Sequence, residues 1–270
     1  MTRQFLALYH PHPASPKFGN GILVGVQPYY VEFGGGVRRT EGVGAVLEFF
    51  FVTEKPQLIL ASNSPRRRQL LSLAGWQFSA SAANVDESQS PNESPSDYVL
   101  RLAETKARAT QADADQIILA ADTTVVDGME ILGKPHDNAE AIAMLTRLRG
   151  HTHQVYTGIA LFRPSDGLLL KDLCVTDVPM RAYSDEEIFA YVATGDPLDK
   201  AGAYAIQHSE FHPVANLDGC YASVMGLPMC HVILLLRKMN IQPNADVFAG
   251  CETLLEYQCP VSNAMLSSEI

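Results

Sequence analysis

From Gln57 onward, apolar and polar positions fall into two alternating rhythms, strand-length apolar runs and stretches with helical spacing, the texture of an α/β chain. Residues 57–61 read as a strand, and Ser64 followed by Pro65 starts a helix over 65–74 that Gly75 stops. A loop rich in turn formers, "SAANVDESQSPNESPS", leads to a helix from about Ser96 to Thr110. "QIILAADTTVVDGMEIL" then reads as two strands joined at Asp127-Gly128, a strong hairpin signal. A helix over 138–148 ends at Gly150, strands follow at 153–162 and 168–182 around the turn "RPSDG", and Ser184 with Glu187 forms a capping box for a helix to about Thr194. The loop "GDPLDKAGAYAIQ", a strand-like "GCYASVMGLP" and a helix near 229–238 complete the pattern.

Both ends differ from this middle. Residues 1–55 carry scattered Pro, Gly and aromatics with no sustained period, and are expected to be an N-terminal extension rather than a second functional domain. Residues 241–270 hold few structural signals and no lysine or arginine, and are expected to be a C-terminal tail. The working domain is therefore expected over 56–240.

Composition narrows the function classes. At 270 residues with 47% hydrophobic content the chain can bury a sizeable core. No apolar run approaches the ~18 residues a bilayer requires, and the start lacks the features of a signal peptide, so a cytoplasmic protein with no membrane partner is expected. The five cysteines show no C-x-x-C spacing, which makes free thiols the default. A net charge of −10 argues against nucleic acid as a partner, though a local basic pocket remains compatible with a small polyanion.

Such a pocket has candidates. Arg66, Arg67 and Arg68 crowd the first turn of a helix whose N-terminus already carries roughly half a positive charge, so an anion is expected beside them. Successive residues lie ~100° apart around a helix, which favours Arg66 and then Arg67 as its contacts. Lys106 sits at the edge of an apolar helix stripe, either snorkelling to solvent or facing that anion. Asp122 interrupts an apolar strand and must be exposed, paired or coordinating a cation. "GMEILGKP" matches the first seven places of a phosphate loop, but Pro135 fails the eighth, leaving only Lys134 as a phosphate contact. "GNGILVG" misses the dinucleotide fingerprint. His151 and His153 alternate along a strand, as polar surface or, less favoured, as metal ligands.

The ordered segments "LASNSPRRRQLL", "VDES", "RLAETKARA", "AADTTVVDGMEILGKP", "TDVPMRAYSDEEIFAYVATGDPLDKAGAYAIQ" and "GCYASVMGLP" together resemble the Maf family of nucleoside triphosphate pyrophosphatases. The resemblance implies a Maf/ITPase-like α/β fold, with an extended mixed sheet flanked by helices and two lobes around a central cleft, often as a homodimer. It implies that Ser62, Arg66, Arg67, Lys106 and Lys134 gather a triphosphate, with Asp122 as proton acceptor. Glu87 and Asp122 are implied to hold a divalent cation, Mg²⁺ or Mn²⁺. "ADT" followed by "AYAIQ" is similar to the branch acting on dTTP and UTP, whose preference is associated with Arg66, Thr123 and Gln207. A 7-methyl-GTP pyrophosphatase and a nucleotide-binding regulator of division or septum formation are the alternatives. Two places depart from the family pattern: His208 follows Gln207 where Gly is usual, and Arg149 precedes Gly150 in place of Ser.

Overall fold

A computed structural model describes residues 58–261, together with the backbone of two short strands nearer the start. The chain divides into two compact units, Met1–Thr53 and Glu54–Ile270. In the first, β1 (Glu32–Phe33) pairs antiparallel with β2 (Gly36–Val37). The rest of the expected extension lies outside the described residues.

The second unit is built on a six-stranded mixed sheet. Its strands are β3 (Leu58–Leu60), β4 (Phe78–Ala80), β5 (Ile117–Asp127), β6 (Glu130–Leu132), β7 (Thr152–Arg163) and β8 (Leu168–Pro179). They run in the order β4-β3-β5-β7-β8, with β6 paired to β5. β3 lies parallel to β4 and β5, whereas β5, β7 and β8 follow one another antiparallel. Both faces of β3 and β5 are buried, so these strands read as continuous apolar runs. Leu58, Leu60, Ile117 and Leu119 face the larger core, while Ile59, Ala61, Ile118 and Ala120 face a smaller one.

Helix boundaries follow local chemistry. In α1 (Pro65–Ser72), the Ser64 side chain caps by accepting from Arg67 N–H, and proline occupies the first turn. The next helix, α2 (Pro95–Ala109), is capped by Ser94 and buries Val99, Leu102, Ala103 and Ala107 completely. Burying Val99 and Leu102 contributes roughly 1.5–3 kcal/mol each. Small residues let α2 lie directly on the sheet: a Cβ at Gly158 of β7 would stand 2.6 Å from the Val99 carbonyl oxygen. Asp137 caps α3 (Asn138–Leu148), and α4 (Asp185–Ala193) opens with the expected Ser184/Glu187 capping box.

Three segments depart from the sequence expectation. "GCYASVMGLP" is not a strand; it contains a one-turn helix, α5 (Tyr221–Val224). Apolar alternation over so few residues cannot distinguish a strand from a buried turn. The carbonyl of Ser223 accepts from Thr157 Oγ1 at 2.9 Å, which holds that turn against β7. β4 falls where no strand was expected, because three residues are too few for alternation to register. After α6 (Met229–Arg237), residues of the weakly patterned tail form α7 (Val247–Leu255), capped by Asp246 and packed through Val247. Trp76 Nε1 donates to Gln242 O at 2.8 Å and Asn244 N to Ala74 O at 2.8 Å, so this segment is tied to the end of α1.

Candidate active site

Side chains alternate along β5, so Ala121, Thr123 and Val125 share one face while Ala120, Asp122 and Thr124 share the other. Asp122 therefore projects toward α2. There the Lys106 ammonium donates to Asp122 Oδ1 at 2.6 Å and lies 2.7 Å from Glu87 Oε1. Lys106 and Asp122 are largely enclosed, with side chains 12% and 9% exposed, whereas Glu87 is half exposed at 50%. Lys106 thus turns inward onto two carboxylates rather than snorkelling to solvent.

Burial raises the Glu87 carboxyl, but the Lys106 hydrogen bond and charge, with Lys134 and Arg67 behind them, hold it below its ordinary range. Lys134 is exposed on the loop after β6 and lies within electrostatic reach of Glu87. That loop is anchored where Gly202 N donates to Gly133 O at 3.0 Å.

Arg67 crosses to the other face of β5. Its Nε donates to Gly226 O at 2.8 Å, Nη1 to Ser62 Oγ at 3.4 Å and Nη2 to Thr123 Oγ1 at 3.2 Å. Thr123 Oγ1 in turn lies 3.0 Å from Thr157 Oγ1. Burial lowers the pKa of Arg67, Asp122 opposes that, Arg66 adds to it and Glu87 opposes it again, so all four charges act on one region. Ser62, Arg66, Arg67, Glu87, Lys106, Asp122, Thr123 and Lys134 form one neighbourhood.

The Gln207 side chain is exposed and makes no hydrogen bond among the described residues. The chain just before it is pinned, with Ala205 N donating to Tyr191 Oη at 3.0 Å. His153 is not polar surface: it is buried on β7 with Nε2 2.9 Å from Tyr204 Oη, while His151 Nε2 lies 3.1 Å from Asp127. Among the described residues no group of three or more His, Cys, Asp or Glu side chains is arranged to hold a metal ion by itself.

Tyr98 is a site residue to which sequence reasoning assigned no role. Its hydroxyl donates to the Glu87 carbonyl at 2.9 Å and so fixes the loop that supplies this carboxylate. Burial, then Asp122 and Glu87, push its pKa up to about 12, which keeps it a donor. The signal was legible, because Tyr98 lies two helical turns before Lys106 on the same face.

A family model described as "Maf-like protein" matches residues 57–239. This chain belongs to the Maf family. Among its relatives, the dTTP/UTP pyrophosphatase of Geobacter sulfurreducens is 48% identical over 189 residues, covering 69% of this chain and 98% of that protein. The dTTP/UTP pyrophosphatase of Hahella chejuensis is 44% identical over 194 residues, covering 70% and 96%. A solved nucleoside-triphosphatase, dITP/XTP pyrophosphatase, from Mycobacterium abscessus aligns with 68% of this Maf chain and 96% of its own, at 12% identity and a TM-score of 0.35. No described helix of the Maf chain is long and apolar enough to cross a membrane.

Proposed function

We infer that this Maf protein is a nucleoside triphosphate pyrophosphatase that cleaves dTTP and UTP to the monophosphate and pyrophosphate. The observation that carries the reading is the Lys106 ammonium held between Asp122 and Glu87, beside a basic set formed by Arg66, Arg67 and Lys134. Its support in sequence is the identity shared with relatives of that name over almost their whole length.

Asp122 is the proton acceptor. Lys106 occupies Oδ1, while Oδ2 has no partner among the described residues and is not one of the buried unpartnered atoms, so it opens to solvent. From there it orients and deprotonates a water for in-line attack on the α-phosphorus. The Lys106 ammonium holds the Asp122 carboxylate in place through Oδ1 and so aims Oδ2 at the water. Arg66 and Lys134, with the Arg67 N–H groups not spent on Gly226, Ser62 and Thr123, bind the triphosphate and offset charge building on pyrophosphate as it leaves. Ser62 and Thr123 fix the guanidinium plane.

Two carboxylates that converge on one point and leave oxygens for a cation are the donor chemistry Mg²⁺ or Mn²⁺ accepts alongside substrate phosphates. Asp122 and Glu87 would hold that ion, which supplies electron withdrawal at the phosphoryl group. Arg66, Thr123 and Gln207 set the pyrimidine preference, Gln207 by offering a donor and an acceptor to the base's imide edge. The reading includes a homodimer in the cytoplasm working on free nucleotides. The net charge of −10 argues against nucleic acid as a partner, and the free thiols fit a reducing compartment.

Incubation with a nucleotide panel plus Mg²⁺ or Mn²⁺, followed by product separation, tests this reading. dTMP or UMP with pyrophosphate is expected. No turnover would leave a binding regulator, and preference for 7-methyl-GTP would move the protein to another branch.

A further inference from the structure

Behind Arg67 the hydrogen bonds close into a ring. On one side Arg67 Nε donates to Gly226 O at 2.8 Å. On the other, Nη2 donates to Thr123 Oγ1 at 3.2 Å, Thr123 Oγ1 lies 3.0 Å from Thr157 Oγ1, and Thr157 Oγ1 donates to Ser223 O at 2.9 Å. Both branches end on one turn, which Gly226 N closes by donating to Ser223 O at 2.9 Å. Thr123 and Thr157 are direct cross-strand partners on β5 and β7, so their side chains stand on the same face of the sheet. Thr157 is fully buried, so it presents no surface to a ligand.

The chemistry of these groups allows only one arrangement of protons. A guanidinium only donates, and a carbonyl oxygen only accepts. A hydroxyl holds one proton, and that of Thr157 is committed to Ser223 O. Thr123 is therefore the donor in the threonine pair, which turns its lone pairs toward Arg67 Nη2. Without an acceptor behind it, the Thr123 proton would be free to swing toward the guanidinium, where two donors would oppose each other. Three of the five guanidinium N–H groups are spent on Gly226, Ser62 and Thr123, so two remain, one on each terminal nitrogen. Space around the ring is tight: at Gly226, with φ +106°, a Cβ would stand 3.1 Å from Arg67 Nε and 3.3 Å from Thr123 Oγ1.

We propose that Thr157 is a positioning residue for the triphosphate site. By taking the Thr123 proton it fixes Thr123 as an acceptor. That acceptor, with Gly226 O and Ser62 Oγ, holds the guanidinium plane so that its two remaining N–H groups meet the phosphate chain. Pre-aligned donors lose less freedom when the anion arrives, so the benefit appears as affinity for the phosphate chain. The identity of that anion rests on the pyrophosphatase reading, to which Thr157 adds a residue that no ligand touches.

The test measures binding of inorganic tripolyphosphate to the full chain by calorimetry with Mg²⁺ present, beside steady-state turnover of dTTP. Thr157→Val keeps the shape of the side chain and removes its hydroxyl. It should weaken tripolyphosphate binding roughly 3- to 10-fold, the net worth of one hydrogen bond, and raise KM for dTTP by a similar factor with kcat little changed. Thr157→Ser, which keeps the hydroxyl, should bind as the wild type does. In a Thr123→Val background, Thr157→Val should have little further effect, because its route runs through the Thr123 hydroxyl. A valine variant that binds normally, a serine variant as weak as the valine one, or an undiminished loss in the Thr123→Val background overturns the proposal. If Thr157→Val does not fold, Thr157→Ala is judged by the same outcomes. Wild-type protein that binds no tripolyphosphate would overturn the pyrophosphatase reading itself and this proposal with it, so the two failures are separately visible.

Discussion

Lys106 and Asp122, from the last turn of α2 and the middle of β5, meet at 2.6 Å in a largely enclosed pocket that also receives Glu87. The same contact balances a buried charge and leaves one Asp122 oxygen facing outward.

Asp122→Asn should lower kcat by roughly 10²–10⁴-fold, the usual scale of general base catalysis, with dTTP binding retained. Rapid-quench turnover alongside calorimetric titration checks this. Near-normal turnover would remove Asp122 as the base.

Lys106→Met leaves Asp122 without its cation in a poorly solvated place. Breaking a buried pair from one side costs about 3–5 kcal/mol, and the 9% exposure of Asp122 puts this site toward the lower end. Urea unfolding of the variant should show that loss, and the double variant Lys106→Met/Asp122→Asn should recover part of it.

Gly158→Ala would drive a methyl to within 2.6 Å of the Val99 carbonyl, a backbone atom that cannot turn away. Overpacking of this kind costs roughly 1–3 kcal/mol, and lifting α2 from β7 moves Lys106 with it. The melting temperature and kcat should fall together.

Stability should also fall as the medium is acidified, through His153. Burial, and then the neighbouring His151, lower its pKa to about 4 from an ordinary 6.5, with Asp127 opposing weakly. The folded state therefore keeps the ring neutral, while the unfolded chain takes up a proton below 6.5. Stability from this group is complete above that pH and is lost on descent toward 4, by at most roughly 3 kcal/mol. Urea midpoints across this range should slope less for His153→Gln.

Removing residues 1–54 should leave dTTP turnover largely intact, whereas removing 241–270 should destabilise the enzyme. The second truncation strips α7 and the Gln242 and Asn244 contacts to Trp76 and Ala74. Expression yield and thermal melting of the two truncations check the contrast.

Local chemistry was legible in the sequence wherever a few neighbouring residues decide the outcome. Ser64-Pro65 opens a helix, Asp127-Gly128 turns a hairpin with Gly128 at φ +64°, and Ser184 with Glu187 closes a capping box. The Asp246 cap ahead of an apolar run was readable in the same way, but it stood in a stretch with no strong periodicity. The ordered motifs also marked the charged side chains that the fold then gathers. What no local pattern could decide was partnership across the chain. Whether Lys106 snorkels or pairs depends on β5 passing beneath α2, and the Arg67 guanidinium is held partly by Gly226, 159 residues away. Periodicity and capping are set by neighbours along the chain, whereas these contacts arise when distant segments bury their apolar faces together.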